Sequence, residues 1–274
     1  MLCPYLSHEH PIRFAHRGSR ILWPENTMTA FQGAVDFGYR YIESDVHVTR
    51  DGIIVMFHDD RLERITNGAG FVKDRTWDDL RKLDAAYRFK AEAGYPLRSQ
   101  GIGIPSLEEA LTAFPGVMFN IDLKQPGIEP VVIDFICKHG FEERVLLASF
   151  HDRRIRRCRR FLGSQVATST GFWESVAVWA CSRFKRGFKI PAQAVQVPLK
   201  KGCLTVVDEK MVRAVHRTGM QVHVWTINDP SQMHRLLELG VDGIITDRPD
   251  LLNQVIAAAG IATRAQRHQG APRF

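Results

Sequence analysis

A (β/α)8 barrel is the fold this sequence predicts, and three observations carry the expectation. Apolar, β-branched runs of strand length alternate with helical patterns over about 250 residues, the usual length of such a barrel. No glycine-rich strand-to-helix turn of the dinucleotide-binding kind is present, which disfavours the alternative, an open doubly wound sheet. The chemically equipped residues also lie at the ends of several different strands, as they do on a barrel's carboxyl face.

Taken in order, strands are expected near 12–16, 41–48, 53–58, 117–123, 145–150, 165–169, 194–198, 221–227 and 243–246. Helical patterns run over 26–37, where Pro24 precedes and Asn26 or Thr27 offers a cap, and over 131–138, 152–161 and 208–217. Another follows the turn signal Asn228-Asp229-Pro230 and spans 231–239. This gives one strand more than the barrel needs, and only Thr49-Arg50-Asp51-Gly52 separates the second from the third. That is too short for a parallel crossover, and Asp-Gly between apolar runs signals a hairpin. A turn centred there pairs Asp45 with His58 across the ladder.

The segment 60–105 breaks the alternation, with one helical stretch at 76–83 between Asn67-Gly68-Ala69-Gly70 and a Gly- and Pro-containing loop. It is expected to be a small insertion or lid beside the active face, within a barrel spanning 1–261, and to influence which head groups fit. Residues 262–274 are polar, basic and poor in core formers, which predicts a disordered tail.

With 274 residues, 45% hydrophobic and 24% charged, the chain has ample length for a sizeable core. No apolar run is long enough for a spanning helix, and five scattered cysteines without a CxxC pair favour a reducing, cytoplasmic setting. A net charge of +7 favours anionic partners. Much of the excess sits in the six arginines of 153–160, with Ile155, Cys158 and Phe161 recurring between them at helical spacing. Such a run is either a solvated helix face or a peripheral landing patch for anionic lipid. It lacks the interleaved aromatics of a nucleic-acid groove, so nucleic acid is not an expected partner.

Four segments carry the chemistry: His16-Arg17-Gly18, Glu43-Ser44-Asp45, His58-Asp59 and Asp122-Leu123-Lys124, each at or near the end of a strand-like run. Alternation along a strand puts Glu43 and Asp45 on one face, and Asn120, Asp122 and Lys124 on another. The set supplies carboxylates for a hard cation, imidazoles for proton transfer, and Arg17 and Lys124 to face an anion. It suits divalent-metal-assisted cleavage of a phosphodiester.

In order along the chain, HRG, PENT, IESDV, TRDG, FHDD, IPSLEEAL, NIDLK, VWTIN and GVDGIITDRPD strongly resemble the glycerophosphodiester phosphodiesterase family, from about His16 to Pro249. The resemblance implies a TIM-type barrel with a small insertion after the third strand. It also implies hydrolysis of a glycerophosphodiester to glycerol 3-phosphate and an alcohol, with one Ca2+ or Mg2+ ion. Carried over by position, the metal carboxylates fall on Glu43, Asp45 and Asp122, the catalytic histidines on His16 and His58, and phosphate contacts on Arg17 and Lys124. Many members have glutamate where this chain has the shorter Asp122.

Beyond these, Trp225 is expected either to pack the barrel or to wall the glycerol site, and Glu25 to start a helix or support the site from behind. Asp247 is equally a strand-end candidate and part of an Asp-Arg-Pro turn. Two other functions use the same residues: lysophospholipase D-type cleavage of lysophospholipids, and a phosphate-ligand binding barrel without turnover.

Overall fold

The computed structural model describes residues 4–7, 10–184 and 187–260; the tail expected at 262–274 lies outside the described residues. In chain order the elements are β1 (Ile12–His16), α1 (Met28–Asp36), β2 (Tyr41–Val48), β3 (Ile54–Met56), α2 (Trp77–Leu80), α3 (Leu107–Ala113) and β4 (Met118–Leu123). There follow α4 (Glu129–His139), β5 (Val145–Ala148), α5 (Asp152–Leu162), β6 (Ala167–Thr168), α6 (Phe172–Phe184) and β7 (Ala194–Pro198). The chain continues through β8 (Lys200–Lys201), β9 (Leu204–Thr205), α7 (Glu209–His216), β10 (Gln221–Trp225), α8 (Pro230–Glu238), β11 (Gly243–Thr246) and α9 (Pro249–Ala258).

Parallel pairing runs in the order β6-β5-β4-β2-β1-β11-β10-β7. A bridge between Ser169 and Ala194, with the Thr170 N–H donating to the Ala194 carbonyl at 2.9 Å, joins the two ends and closes the eight-stranded barrel. The eight barrel strands are covered on both faces, which is why most of them read as nearly continuous apolar runs. On the outside, Ile42, Val46, Phe119, Ile121 and Leu147 pack with helix residues such as Phe31, Leu111 and Val132. A second outer cluster joins Val195, Val197, Val222 and Val224 to Met211, Val215 and Leu236. The alternate strand residues point inward: Ile12, Phe14, Tyr41, Met118, Leu146, Ala194 and Ile245 fill the barrel's amino-terminal half together with Tyr5 and Leu6. Tyr5 is fully buried and its ring meets Tyr41 edge-on, closing that end.

The hairpin forms, but in a different register from the one expected. Val46 lies opposite Met56 and Val48 opposite Ile54, and Phe57 N–H donates to the Asp45 carbonyl at 2.9 Å. The partner of Asp45 is therefore Phe57, not His58. The connection holds three residues, not two: Thr49 N–H bonds Ile53 O at 2.9 Å, and Gly52 takes the left-handed conformation at φ 87.

Two expected helices shift. The stretch 76–83 shortens to α2, where Thr76 and Asp79 form a reciprocal capping box. In α5, Ile155 and Cys158 are buried while Phe161 is 65% exposed. At 3.6 residues per turn Phe161 drifts off that face and Leu162 takes its place. Two of the six arginines are scaffold: Arg154 donates to the carbonyls of Leu123 (2.7 Å) and Lys124 (2.9 Å), and Arg159 pairs with Glu174 and the Ser169 carbonyl.

Between β3 and α3 the chain leaves the barrel and packs a small core of its own, in which Phe57, Leu62, Val72, Leu80, Ala85 and Ile104 are buried with Val55. This places Asp59, Arg64 and their neighbours at the carboxyl ends of β1 and β2.

Candidate active site

The inward positions change character toward the strands' carboxyl ends. Two residues beyond Phe14 stands His16, two and four beyond Tyr41 stand Glu43 and Asp45, and two and four beyond Met118 stand Asn120 and Asp122. After His16 the chain turns sharply. Arg17 and Gly18 both adopt left-handed conformations (φ 53 and 76), and a Cβ on Gly18 would lie 2.7 Å from Ala30, so glycine alone fits. The turn drives the Arg17 guanidinium inward, and the Arg17 backbone N–H donates to the Glu43 carbonyl at 2.7 Å.

All eight residues singled out from the sequence line one cavity of about 820 Å³. His16 Nδ1 donates to Asp247 Oδ1 at 2.6 Å, leaving Nε2 directed inward, 3.7 Å from Glu43 Oε2. His58 repeats the arrangement, with Nδ1 donating to Asp59 Oδ1 at 2.6 Å. A carboxylate on Nδ1 fixes ring orientation and tautomer, and leaves Nε2 free to take or give a proton. Lys124 Nζ bridges Asp45 Oδ1 (2.9 Å) and Asp122 Oδ2 (2.6 Å), while Arg17 Nε lies 3.1 Å from Asp45 Oδ2. Asn26 Nδ2 donates to the same Asp45 oxygen at 3.1 Å, and Thr27, not Asn26, caps α1.

These contacts separate the titrations. Burial alone would raise Asp45, but Lys124 and Arg17 outweigh it and hold Asp45 well below the usual carboxylate range. Glu43 is pushed up to about 7 by burial and by the charge of Asp45. His58 is lowered, chiefly by burial with help from Arg17 and Lys124. Burial opposes the charge on Lys124, yet Asp45 and Asp122 prevail and raise it.

Among the described residues no three acidic, histidine or cysteine side chains converge as a ready-made metal cage, and the Lys124 ammonium bridges Asp45 and Asp122. The donor chemistry nevertheless fits a hard cation. Glu43 Oε2 and Asp122 Oδ1 are buried without a hydrogen-bond partner, a costly state for carboxylate oxygens.

Of the supporting residues, Glu25, Asp247 and Trp225 are candidates the sequence leaves open, whereas Asp59 and Arg64 carry no sequence signal of a role. Asp59 follows His58 directly and holds it. Asp247, left open between strand end and turn, is fully buried and also accepts from Asn228 Nδ2 at 2.9 Å. Glu25 is buried and accepts from Arg17 at 2.9 Å and from both terminal nitrogens of Arg64, whose Nε in turn bonds Asp59. Arg64, from the segment after β3, thereby connects the supports of Arg17 and His58. Trp225 lies on the cavity wall, its ring edge-on to Phe150 at 5.5 Å.

A (β/α)8 barrel whose strand ends gather two carboxylate-held imidazoles around cations and buried carboxylates has the groups that acid–base chemistry on an anionic substrate requires. The family model described as the glycerophosphoryl diester phosphodiesterase family matches residues 16–251. The chain is 40% identical over 264 residues to the probable glycerophosphodiester phosphodiesterase 2 of Mycobacterium tuberculosis, covering 93% of this chain and 94% of that one. It is 35% identical over 246 residues to a glycerophosphodiester phosphodiesterase of Bacillus altitudinis, covering 86% and 94% respectively. A phosphodiesterase of Oleispira antarctica, solved with its product sn-glycerol-3-phosphate, superposes with a TM-score of 0.72 at 26% identity, over 90% of this chain and 97% of that one. This chain belongs to the glycerophosphoryl diester phosphodiesterase family.

Proposed function

We propose that this protein hydrolyses glycerophosphodiesters to glycerol 3-phosphate and an alcohol, with His16 and His58 as its acid–base pair. The observation that carries the reading is the matched pair of imidazoles, each buttressed at Nδ1 by a carboxylate at 2.6 Å and each lining the cavity that holds Arg17 and Lys124. Arg17 and Lys124 face the non-bridging oxygens and stabilise the charge that builds on them. The glycerol hydroxyl next to the phosphate attacks phosphorus, one imidazole taking its proton at Nε2. The other imidazole delivers a proton to the departing alcohol oxygen as the P–O bond breaks, leaving a cyclic phosphate. Water then opens the ring with the histidine roles reversed, which restores both protonation states.

Glu43, Asp45 and Asp122 would hold one divalent cation, Ca2+ or Mg2+, which when bound supplies positive charge at the phosphoryl oxygens and acidifies a hydroxyl within reach. The orphaned oxygens of Glu43 and Asp122 support this assignment. Release of glycerol 3-phosphate from glycerophosphocholine by purified protein, lost in EDTA and restored by Ca2+ or Mg2+, is the expected result. Absence of release with every metal would overturn it.

A second reading, lysophospholipid cleavage at the same site, is favoured by the apolar side of the cavity, where Phe150, Phe172, Trp179, Leu204 and Val206 face the catalytic groups. Exposed Trp173 and Phe161, beside the arginines of α5 not used as scaffold, offer a peripheral lipid contact. Comparing a micellar lysolipid with its deacylated diester separates the two readings. The cytoplasmic setting proposed here rests on the scattered cysteines, four of which are free among the described residues. Among the described residues no helix is long and apolar enough to cross a membrane.

A further inference from the structure

A second, smaller cavity of about 220 Å³ opens beside the catalytic one. Its charged lining is Arg20, Arg64, Arg88 and Lys90 against the single carboxylate of Glu25. Arg20 lines both cavities, so the two are neighbours across one side chain. Glu25 is already committed to Arg17 and Arg64, and Arg20 Nε reaches Asp247 Oδ2 at 3.2 Å. Arg88 and Lys90 lie over the rings of Tyr87 and Phe89 at 5.8 and 5.2 Å, and among the described residues no carboxylate pairs with either.

The backbone that presents them is tied down. Arg88 N–H donates to the Ile65 carbonyl at 3.3 Å, and the Lys90 carbonyl accepts from the N–H groups of Ala93 (2.9 Å) and Tyr95 (3.1 Å). Lys90 is held at φ 48, a conformation a residue with a Cβ keeps only where its surroundings impose it. A concave site with this excess of positive charge attracts a small oxyanion, and guanidinium groups suit phosphate or carboxylate oxygens. Because Arg20 is shared, an anion seated here is within reach of a substituent on a molecule whose diester occupies the catalytic cavity.

Resting on the glycerophosphodiesterase reading above, we infer that this cavity is a subsite for a second anionic group, phosphate or carboxylate, on the alcohol portion of the substrate. The preferred substrate class is then a diester whose leaving alcohol is itself anionic, rather than one ending in a cationic choline.

The test compares glycerophosphocholine with glycerophosphoglycerol bearing a terminal phosphate, using the wild-type chain and the double variant Arg88→Gln/Lys90→Gln. Both residues lie outside the catalytic machinery. The expected result is a KM for the phosphate-tailed diester raised about tenfold in the variant at low salt, with kcat and the glycerophosphocholine KM unchanged. Equal changes for both substrates, or none, would overturn the subsite. Should inorganic phosphate alter glycerophosphocholine turnover in the wild type but not the variant, with no preference for the tailed diester, the pocket serves a free anion and the proposal also fails. If the wild type hydrolyses neither diester, the function reading fails by itself. The subsite is then judged by calorimetry, with tighter binding of glycerol 1,3-bisphosphate than of glycerol 3-phosphate expected in the wild type and lost in the variant. Equal binding of the two in the wild type would sink it.

Discussion

The two ends of the barrel interior are made by the same strands, yet they do opposite things. At the amino end Phe14, Tyr41, Met118 and Leu146 fill space with apolar rings and chains. One or two inward steps along three of those strands, His16, Glu43, Asp45 and Asp122 replace them. The lower layer gains from burial. The upper layer bears the cost of desolvating charge, offset by pairing with Arg17 and Lys124 and by the Asn26 hydrogen bond to Asp45, and Glu43 and Asp122 keep unsatisfied oxygens. Apolar burial is concentrated at one end and charged, titratable groups at the other, separated by one or two steps of about 7 Å along a strand.

The sharpest break of that comparison is expected at the top. His16→Ala, His58→Ala and Asp122→Ala should each lower turnover by about a thousandfold or more while circular dichroism keeps the wild-type spectrum. Retained activity in all three would remove the mechanism. The reverse is expected at the bottom: Phe14→Ala should cost about 3–5 kcal/mol in denaturant unfolding, with activity per folded molecule unchanged.

His223 sharpens the contrast from between the layers. Fully buried, it is lowered to about 4 by burial, against about 6.5 when unfolded. Between those values the unfolded chain binds a proton that the native state refuses. Its contribution is therefore complete above about pH 6.5 and declines as pH falls toward 4, by about 3 kcal/mol. His223→Gln should flatten that part of the stability profile, and an unchanged slope would refute the assignment. The smallest effect is expected behind the site, where Asp247→Asn should reduce kcat by about ten- to a hundredfold and shift its pH profile, leaving KM close to wild type.

Much of this was legible because strand alternation is local. Glu43, Asp45, Asp122 and Lys124 follow from period two, and the order of the motifs brought His16, His58 and Arg17 to the same end. The partners that hold the histidines were less legible. Asp247 lies 231 residues from His16, and only the closed sheet, with β1 beside β11, brings them together. Arg64 comes from a segment outside the strand and helix alternation, so no periodicity aims it at Glu25. The Asp45–His58 register failed because Asp-Gly serves three-residue loops as well as two-residue ones. Helix α6 gave no clear stripe, since Val178 and Ser182 are buried while Trp173, Val176 and Phe184 are exposed.

The barrel's joints are unequal. Six residue pairs align β2 with β4, whereas β6 meets β5 through two and β7 through the single Ser169–Ala194 bridge. A hoop made this way yields first at its weakest stave. The stiff arc carries Glu43, Asp45 and Asp122, and the yielding one carries Ser169, Thr170 and Phe172 on the apolar side of the cavity. Opening at that seam would widen the apolar wall of the cavity and leave the spacing of the three carboxylates unchanged.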